Sequence, residues 1–276
     1  MNQRSCRFVQ IADVHYVVPT HARVGWPELV EKLPEQVRAC ELIDSMLPAA
    51  LEQIYTEIRP DFVVYTGDQV NAGWDEEGLA NQHGWQQLLA ECGSDAVPNY
   101  HVFGNHDRPR ERFIEIYGES IYSFECNGRH FAVLDSGVMG PEEGAIDLTV
   151  ADRGIDELAG MLAAADGAPA AVLLHFYMIP TGIEGYSFRR AEEAIRILAG
   201  YDRIVPVFNG HAHGGRAEVV GGAPYLTARS FIEAPFAFHL HELTEDVLRT
   251  DEYVLDPKRG KWSGYTNGVY DIGLRG

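Results

Sequence analysis

The chain is short of cysteine, of positive charge and of long apolar runs, and each shortage closes off a class of protein. Its four cysteines, Cys6, Cys40, Cys92 and Cys126, are scattered over 276 residues without a C-x-x-C pair. That excludes a disulfide-stapled scaffold and a thiolate zinc cluster, and leaves reduced thiols as small core side chains. Only 22 Lys and Arg stand against 41 Asp and Glu, a formal charge of −19, which disfavours nucleic acid and anionic membrane surfaces as partners. No stretch approaches the roughly 20 apolar residues of a membrane span. Residues 1–7 lead into a strand without an apolar leader, so no membrane partner and a cytoplasmic location are expected.

What the chain has is a 46% hydrophobic composition, enough to bury a core without staples. With no Ser/Pro/Gly linker it reads as one domain over residues 1–255. The tail, residues 256–276, has little periodicity; its candidate roles are packing on the body, covering the mouth of a site, or a homo-oligomer contact. Short runs rich in Val, Ile, Leu and Phe at residues 7–12, 61–66, 99–103, 170–174 and 203–208 predict buried strands. Residues 35–58 carry Val37, Leu42, Ile43, Met46, Leu47, Leu51 and Ile54 on one helical face, with Pro48 expected to kink or divide the helix. Further helices are predicted over 78–91, 152–164 and 188–198. The first three strands with their helices form a β-α-β-α-β run of parallel strands. Asn127-Gly128 and Gly221-Gly222 predict hairpins, and two late strands, 236–243 and 247–254, are expected in a second sheet.

Five fragments begin where an apolar run stops: Asp13-Val14-His15, Gly67-Asp68, Gly104-Asn105-His106-Asp107, His175 and Gly210-His211-Ala212-His213. Each therefore sits at the C-terminal edge of a strand, where open α/β sheets build their sites. Asp13, His15, Asp68, Asn105, His175, His211 and His213 are oxygen and nitrogen donors, a set suited to Mn, Fe or Zn. Seven donors are too many for one tetrahedral ion, and two ions sharing the Asp68 carboxylate account for all of them. The connection over residues 16–34 contributes His21, Arg23 and Trp26 as candidate pocket walls. Asn71, Arg108, Arg110 and Tyr177 are further candidates for substrate contact, as are Trp74, Arg229 and Phe231 for pocket shape. His130, at the start of a strand far from the other fragments, reads as structural.

In that order the five fragments resemble the signature of the calcineurin-like metallophosphoesterase superfamily. The resemblance implies a four-layer α/β/β/α sandwich of two mixed sheets flanked by helices, with Asp13, His15, Asp68 and His213 around one ion. Asp68, Asn105, His175 and His211 would surround the other, and His106 would act as the catalytic residue facing the scissile phosphate without binding metal. Asn71 stands where phosphoprotein phosphatases have an aspartate and purple acid phosphatases a tyrosine ligand. The chain is accordingly most similar to the bacterial-type, class III cyclic-nucleotide and glycerophosphodiester phosphodiesterase branch.

The expected chemistry is hydrolysis of a small phosphorylated substrate by a metal-bridging hydroxide, two cations clamping the phosphoryl oxygens. Neutral histidine ligands imply that acid strips the metal, with activity falling below about pH 6. The alternatives are a Mn-dependent hydrolase of nucleotide-diphosphate links of the ADP-ribose or CDP-alcohol type, a phosphomonoesterase, and a non-catalytic scaffold.

Overall fold

Residues 5–18, 23–33, 38–71, 76–136, 148–180 and 190–275 are described by the computed structural model. The apolar runs form strands β1 (Cys6–Ile11), β2 (Phe62–Tyr65), β3 (Asn99–His101), β4 (Tyr122–Cys126), β5 (Arg129–Val133), β6 (Ala170–Leu173) and β7 (Val207–Asn209). They are followed by β8 (Gly214–Val220), β9 (Ala223–Arg229), β10 (Ala237–Leu243), β11 (Val247–Asp256) and β12 (Lys261–Asp271). The α-helices are α1 (Trp26–Lys32), α2 (Ile43–Gln53), α3 (Glu76–Glu91), α4 (Arg110–Tyr117), α5 (Leu148–Ala164) and α6 (Ala191–Ala199).

Two six-stranded sheets result, ordered β12-β11-β10-β1-β2-β3 and β4-β5-β6-β7-β9-β8. In the first, β1, β2 and β3 are parallel while β10 runs antiparallel to β1. In the second, β5, β6, β7 and β9 are parallel between antiparallel edges β4 and β8. Both sheets are mixed, as expected.

Because successive side chains point to opposite faces, each apolar run feeds two cores. Phe8, Phe62, Val64, Phe131, Val133, Ala171, Leu173 and Phe208 meet between the sheets. There Phe8 stacks on Phe62 with ring centroids 4.8 Å apart and takes Phe131 and Phe208 edge-on. The alternate residues Val9, Ile11, Val63 and Tyr65 face outward onto Ile43, Met46, Leu47, Leu51 and Trp85 of α2 and α3. On the other side Ala132, Val172, Leu174 and Val207 pack against Ile155, Leu158, Leu162 and Leu198 of α5 and α6. Helix, sheet, sheet and helix make the four layers.

Two expectations are corrected, the sheet that holds β10 and β11 and the effect of Pro48. Strands β10 and β11 do not belong to the second sheet: β10 pairs with the open side of β1, Cys6 against Leu243 through Gln10 against His239. Within the tail, β12 extends the first sheet by pairing along β11. Trp262 anchors it, buried with its Nε1 donating to the Phe236 carbonyl at 2.7 Å and its backbone exchanging hydrogen bonds with Gln53. Pro48 does not divide α2, which runs from Ile43 to Gln53 through it. The proline removes one backbone donor, and the fully buried Met46, Leu47, Ala50 and Leu51 around it hold the helix in place. Residues 35–37 and 188–189 of the predicted helices lie outside the described residues. Among the described residues no helix is long and apolar enough to cross a membrane.

Candidate metal centre

Strands β1, β2, β3, β6 and β7 stop at one edge of the sandwich, and their following turns interlock there. The turn after β1 is zipped to the turn after β2: Asp13 N donates to the Gly67 carbonyl at 3.2 Å, His15 N to Asp68 O at 2.9 Å and Tyr16 N to Gln69 O at 2.9 Å. Asp107, fully desolvated, ties the β2 turn to the β3 turn, its Oδ1 accepting from Gln69 N at 2.8 Å and its Oδ2 from Gly104 N at 2.9 Å. Burial raises the Asp107 pKa to about 7, helped by the nearby Asp68 charge and opposed by the backbone donors. Two glycines let the turns close. A side chain at Gly67 (φ +87°) would collide with the His175 ring, and one at Gly104 with the Asp68 backbone.

All seven predicted donors meet at this edge. In one group His213 Nε2 stands 3.4 Å from Asp13 Oδ1 and 3.2 Å from His15 Nε2, and His15 Nε2 is 3.7 Å from Asp68 Oδ2. In the other, His175 Nε2 is 3.3 Å from Asp68 Oδ2 and 3.1 Å from Asn105 Oδ1, and a His211 ring nitrogen comes within 4.8 Å of ligand atoms of Asp68 and His175. Asp68 belongs to both groups. Its two oxygens have separate duties, Oδ2 facing the histidines and Oδ1 accepting from His106 N at 2.8 Å. Asp13, His15, Asp68 and His211 all adopt left-handed backbone conformations, with φ of 52°, 46°, 52° and 67°. Such conformations cost about 1–3 kcal/mol each in a residue that carries a side chain.

The donor chemistry fits cations. His175 Nδ1 lies 2.8 Å from the Thr66 carbonyl, which can only accept, so Nδ1 carries the proton and Nε2 presents a lone pair to Asp68 and Asn105. His213 Nδ1 likewise donates to Glu233 Oε1 at 2.7 Å, aiming Nε2 at Asp13 and His15. Lone pairs facing carboxylate oxygens repel unless a positive charge lies between them. A proton serves when no metal does. Burial works against protonating His175 and His213, but the Asp68 and Asp13 carboxylates outweigh it and raise both to about 9. His15, dominated by burial, falls to about 4. Burial of Asp68 is overcome by His175, His15 and His106, which hold its carboxyl well below the usual range.

His106 sits on the rim, half-buried, with its ring edge-on to His15 at 4.7 Å. Its Nδ1 is 2.5 Å from the Asn71 main-chain carbonyl. Position 71 thus holds the ring through its backbone, not through the side-chain amide on which the sequence comparison turned. Arg108 follows two residues later on the same turn. His21 and Trp74 lie outside the described residues.

Several other candidates have partners within the protein. Arg23 pairs with Asp44 and Glu91, and Tyr177 is buried with its hydroxyl on Glu218 at 2.7 Å. Arg110 makes a two-pronged ion pair with buried Asp135 at 2.7 and 3.2 Å. Trp26 packs on Trp262, Phe231 stacks on the same ring, and Arg229 pairs with Glu252. Two residues at the site carry no local sequence signal, Glu233 and Arg38. Arg38 grips the Glu233 carboxylate at 2.7 and 2.9 Å while that carboxylate holds His213; only the meeting of distant segments reveals them.

Among solved structures, a dimetal phosphatase from Danio rerio superposes with a TM-score of 0.69 at 18% identity, covering 95% of this chain and 99% of that one. GAP50, the anchor in the inner membrane complex of Plasmodium, gives 0.62 at 14% identity over 99% and 90% of the two chains. PhoD gives 0.61 at 11% identity over 100% and 72%. At these identities the likeness is one of fold. No curated protein sequence matches the chain significantly. The sequence profile of the calcineurin-like phosphoesterases matches residues 6–215, from the start of β1 to just past the Gly-His-Ala-His turn. The chain belongs to that family.

Proposed function

We propose that this protein is a dinuclear-metal phosphodiesterase acting on a small nucleotide-like or glycerol-type diester. The carrying observation is the convergence of seven N and O donors on the shared Asp68, with His106 held at the rim. Asp13, His15, Asp68 and His213 would hold one cation, and Asp68, Asn105, His175 and His211 the other. Held by these residues, divalent cations would supply Lewis-acid charge to the phosphoryl group and a water acidified toward neutrality. The chain's own residues do the rest. Thr66 and Glu233 orient the two ligand histidines, and the Gly67 and Gly104 turns bring Asp68 close enough to be shared.

His106 keeps its Nδ1 proton on the Asn71 carbonyl, which turns Nε2 toward the substrate side. Protonated there, it can donate to the leaving oxygen, a contribution of about 10²–10⁴-fold. The partner on Nδ1 is a neutral carbonyl, so no extra negative charge faces the phosphate from that side. With Asp13 and Asp68 the only carboxylates in the donor set, two divalent cations leave a net positive pocket suited to a diester monoanion. The test is hydrolysis of bis-p-nitrophenyl phosphate, p-nitrophenyl phosphate, cAMP and ADP-ribose by protein loaded with Mn. Turnover of diesters above monoesters is expected, and turnover of monoesters alone would end the diester assignment.

A further inference from the structure

Away from the metal edge, the two sheets part along their β8 and β11–β12 side and leave a cleft of about 200 Å³. That is room for roughly six or seven waters at ~30 Å³ each. Gln10, His239 and Glu252 line it from the first sheet and Arg216, Thr227 and Arg229 from the second; none of the seven donors does. We propose that this cleft is a second ligand site, one that takes the oxyanion group, phosphate or carboxylate, of a small metabolite.

The argument rests on unspent donors. His239 is 5% exposed, and its Nε2 accepts from Arg229 N at 3.4 Å. A backbone amide only donates, so the ring proton is on Nδ1, where no acceptor among the described residues meets it. His239 lines the cleft, and an acceptor entering it can take that N–H. Arg229 engages Glu252 through Nε at 2.8 Å, and among the described residues its terminal amino groups have no hydrogen-bond partner. Arg216 adds a second guanidinium, lying over the Tyr177 ring at 5.5 Å and paired with Glu218.

Glu252 Oε2 accepts the Tyr265 hydroxyl at 2.5 Å, and Oε1, buried and without a hydrogen bond, lies 2.8 Å from Arg229 Nε, so its charge is balanced by the Arg229 guanidinium. What the cleft offers is N–H groups in a confined volume, and guanidinium forks favour planar or tetrahedral oxyanions. Burial lowers the His239 pKa to about 4. Its proton is thus a neutral hydrogen-bond donor throughout the physiological range.

The test is a titration of zinc-loaded protein, labelled with ¹⁵N in its histidines, using inorganic phosphate in one arm and succinate in the other. The His239 ring signals are expected to shift saturably in at least one arm, and which arm identifies phosphate or carboxylate as the group bound. His239→Phe and, independently, Arg216→Gln should weaken that response at least about tenfold. His239→Gln, which restores an N–H donor, should recover most of it. Diester hydrolysis should stay within about twofold of wild type in all three, because none touches the metal centre. Unmoved His239 signals in both arms, or equal affinity in wild type and Arg216→Gln, would overturn the assignment and leave a cleft filled by water.

Discussion

The two halves of the donor cluster are anchored in different materials. On the deep side His175 is fully buried, its Nδ1 fixed by the Thr66 main-chain carbonyl and its ring packed against Gly67. On the rim side His213 keeps 20% of its side chain exposed and is fixed by Glu233, which Arg38 holds in turn. A carbonyl at a strand end neither titrates nor rotates; a carboxylate on a half-exposed side chain does both. The deep half is therefore set by the fold itself, and the rim half by an ion pair that substitution can reach.

The largest effect should come from removing what the halves have in common. Asp68→Ala is expected to drop bound metal from two ions per chain to fewer than one and to lower diester turnover by about 10³-fold, the scale of losing a group that organises transition-state charge. His213→Ala should cost only the rim ion. Elemental analysis beside the hydrolysis assay checks both, and equal metal loss in the two variants would show that the halves are not separable. Next comes Glu233→Gln, expected to weaken the rim ion about 10–100-fold, as loss of a partner to a ligand histidine does, while leaving the deep ion in place. Competition with a chromogenic chelator, read as one tight and one weakened step, makes the comparison quantitative.

The smallest effect is a pH dependence confined to metal-free protein. His175 and His213 have folded-state pKa values of about 9 against an ordinary 6.5. A group raised on folding contributes stability that is complete below the unfolded pKa and lost as pH rises through the folded one. The melting temperature of metal-free protein should accordingly fall between about pH 6.5 and pH 9. His15 and His239, lowered to about 4, act in the opposite sense below 6.5, and Asp107, raised to about 7, acts in the same sense but is spent by about pH 7, so the fall between about pH 7 and pH 9 belongs to the two histidines. A flat profile across that range would mean that neither ring holds a proton in place of the metal.

Much of this was readable in the chain before folding, and the limits have physical causes. The donors could be found because each ends an apolar run, and a run of Val, Ile and Phe buried on both faces announces a strand whatever its partners are. Partners are another matter. The segments at 236–243 and 247–254 read as strands, but only long-range pairing decides that β10 lies beside β1 in the first sheet. The tail hid its strand because β12 is an edge with mostly exposed side chains, Tyr265 and Val269 among them, and so lacks a clear two-residue alternation. Glu233 and Arg38 were invisible for a similar reason, since neither follows a strand that carries a donor. Arg23, Arg110 and Arg229 show the ambiguity, because a basic residue near a site looks alike in sequence whether it meets a substrate or a neighbouring carboxylate such as Asp44, Asp135 or Glu252.

The left-handed backbone at Asp13, His15, Asp68 and His211 sets folding against chemistry at four points. Glycine at any of them would relieve torsional cost and discard a cation donor in the same stroke. A search for thermostable variants that ignored activity would drift toward glycine at exactly the places where the protein can least tolerate it, and would arrive at a sturdier sandwich with nothing to hold its ions.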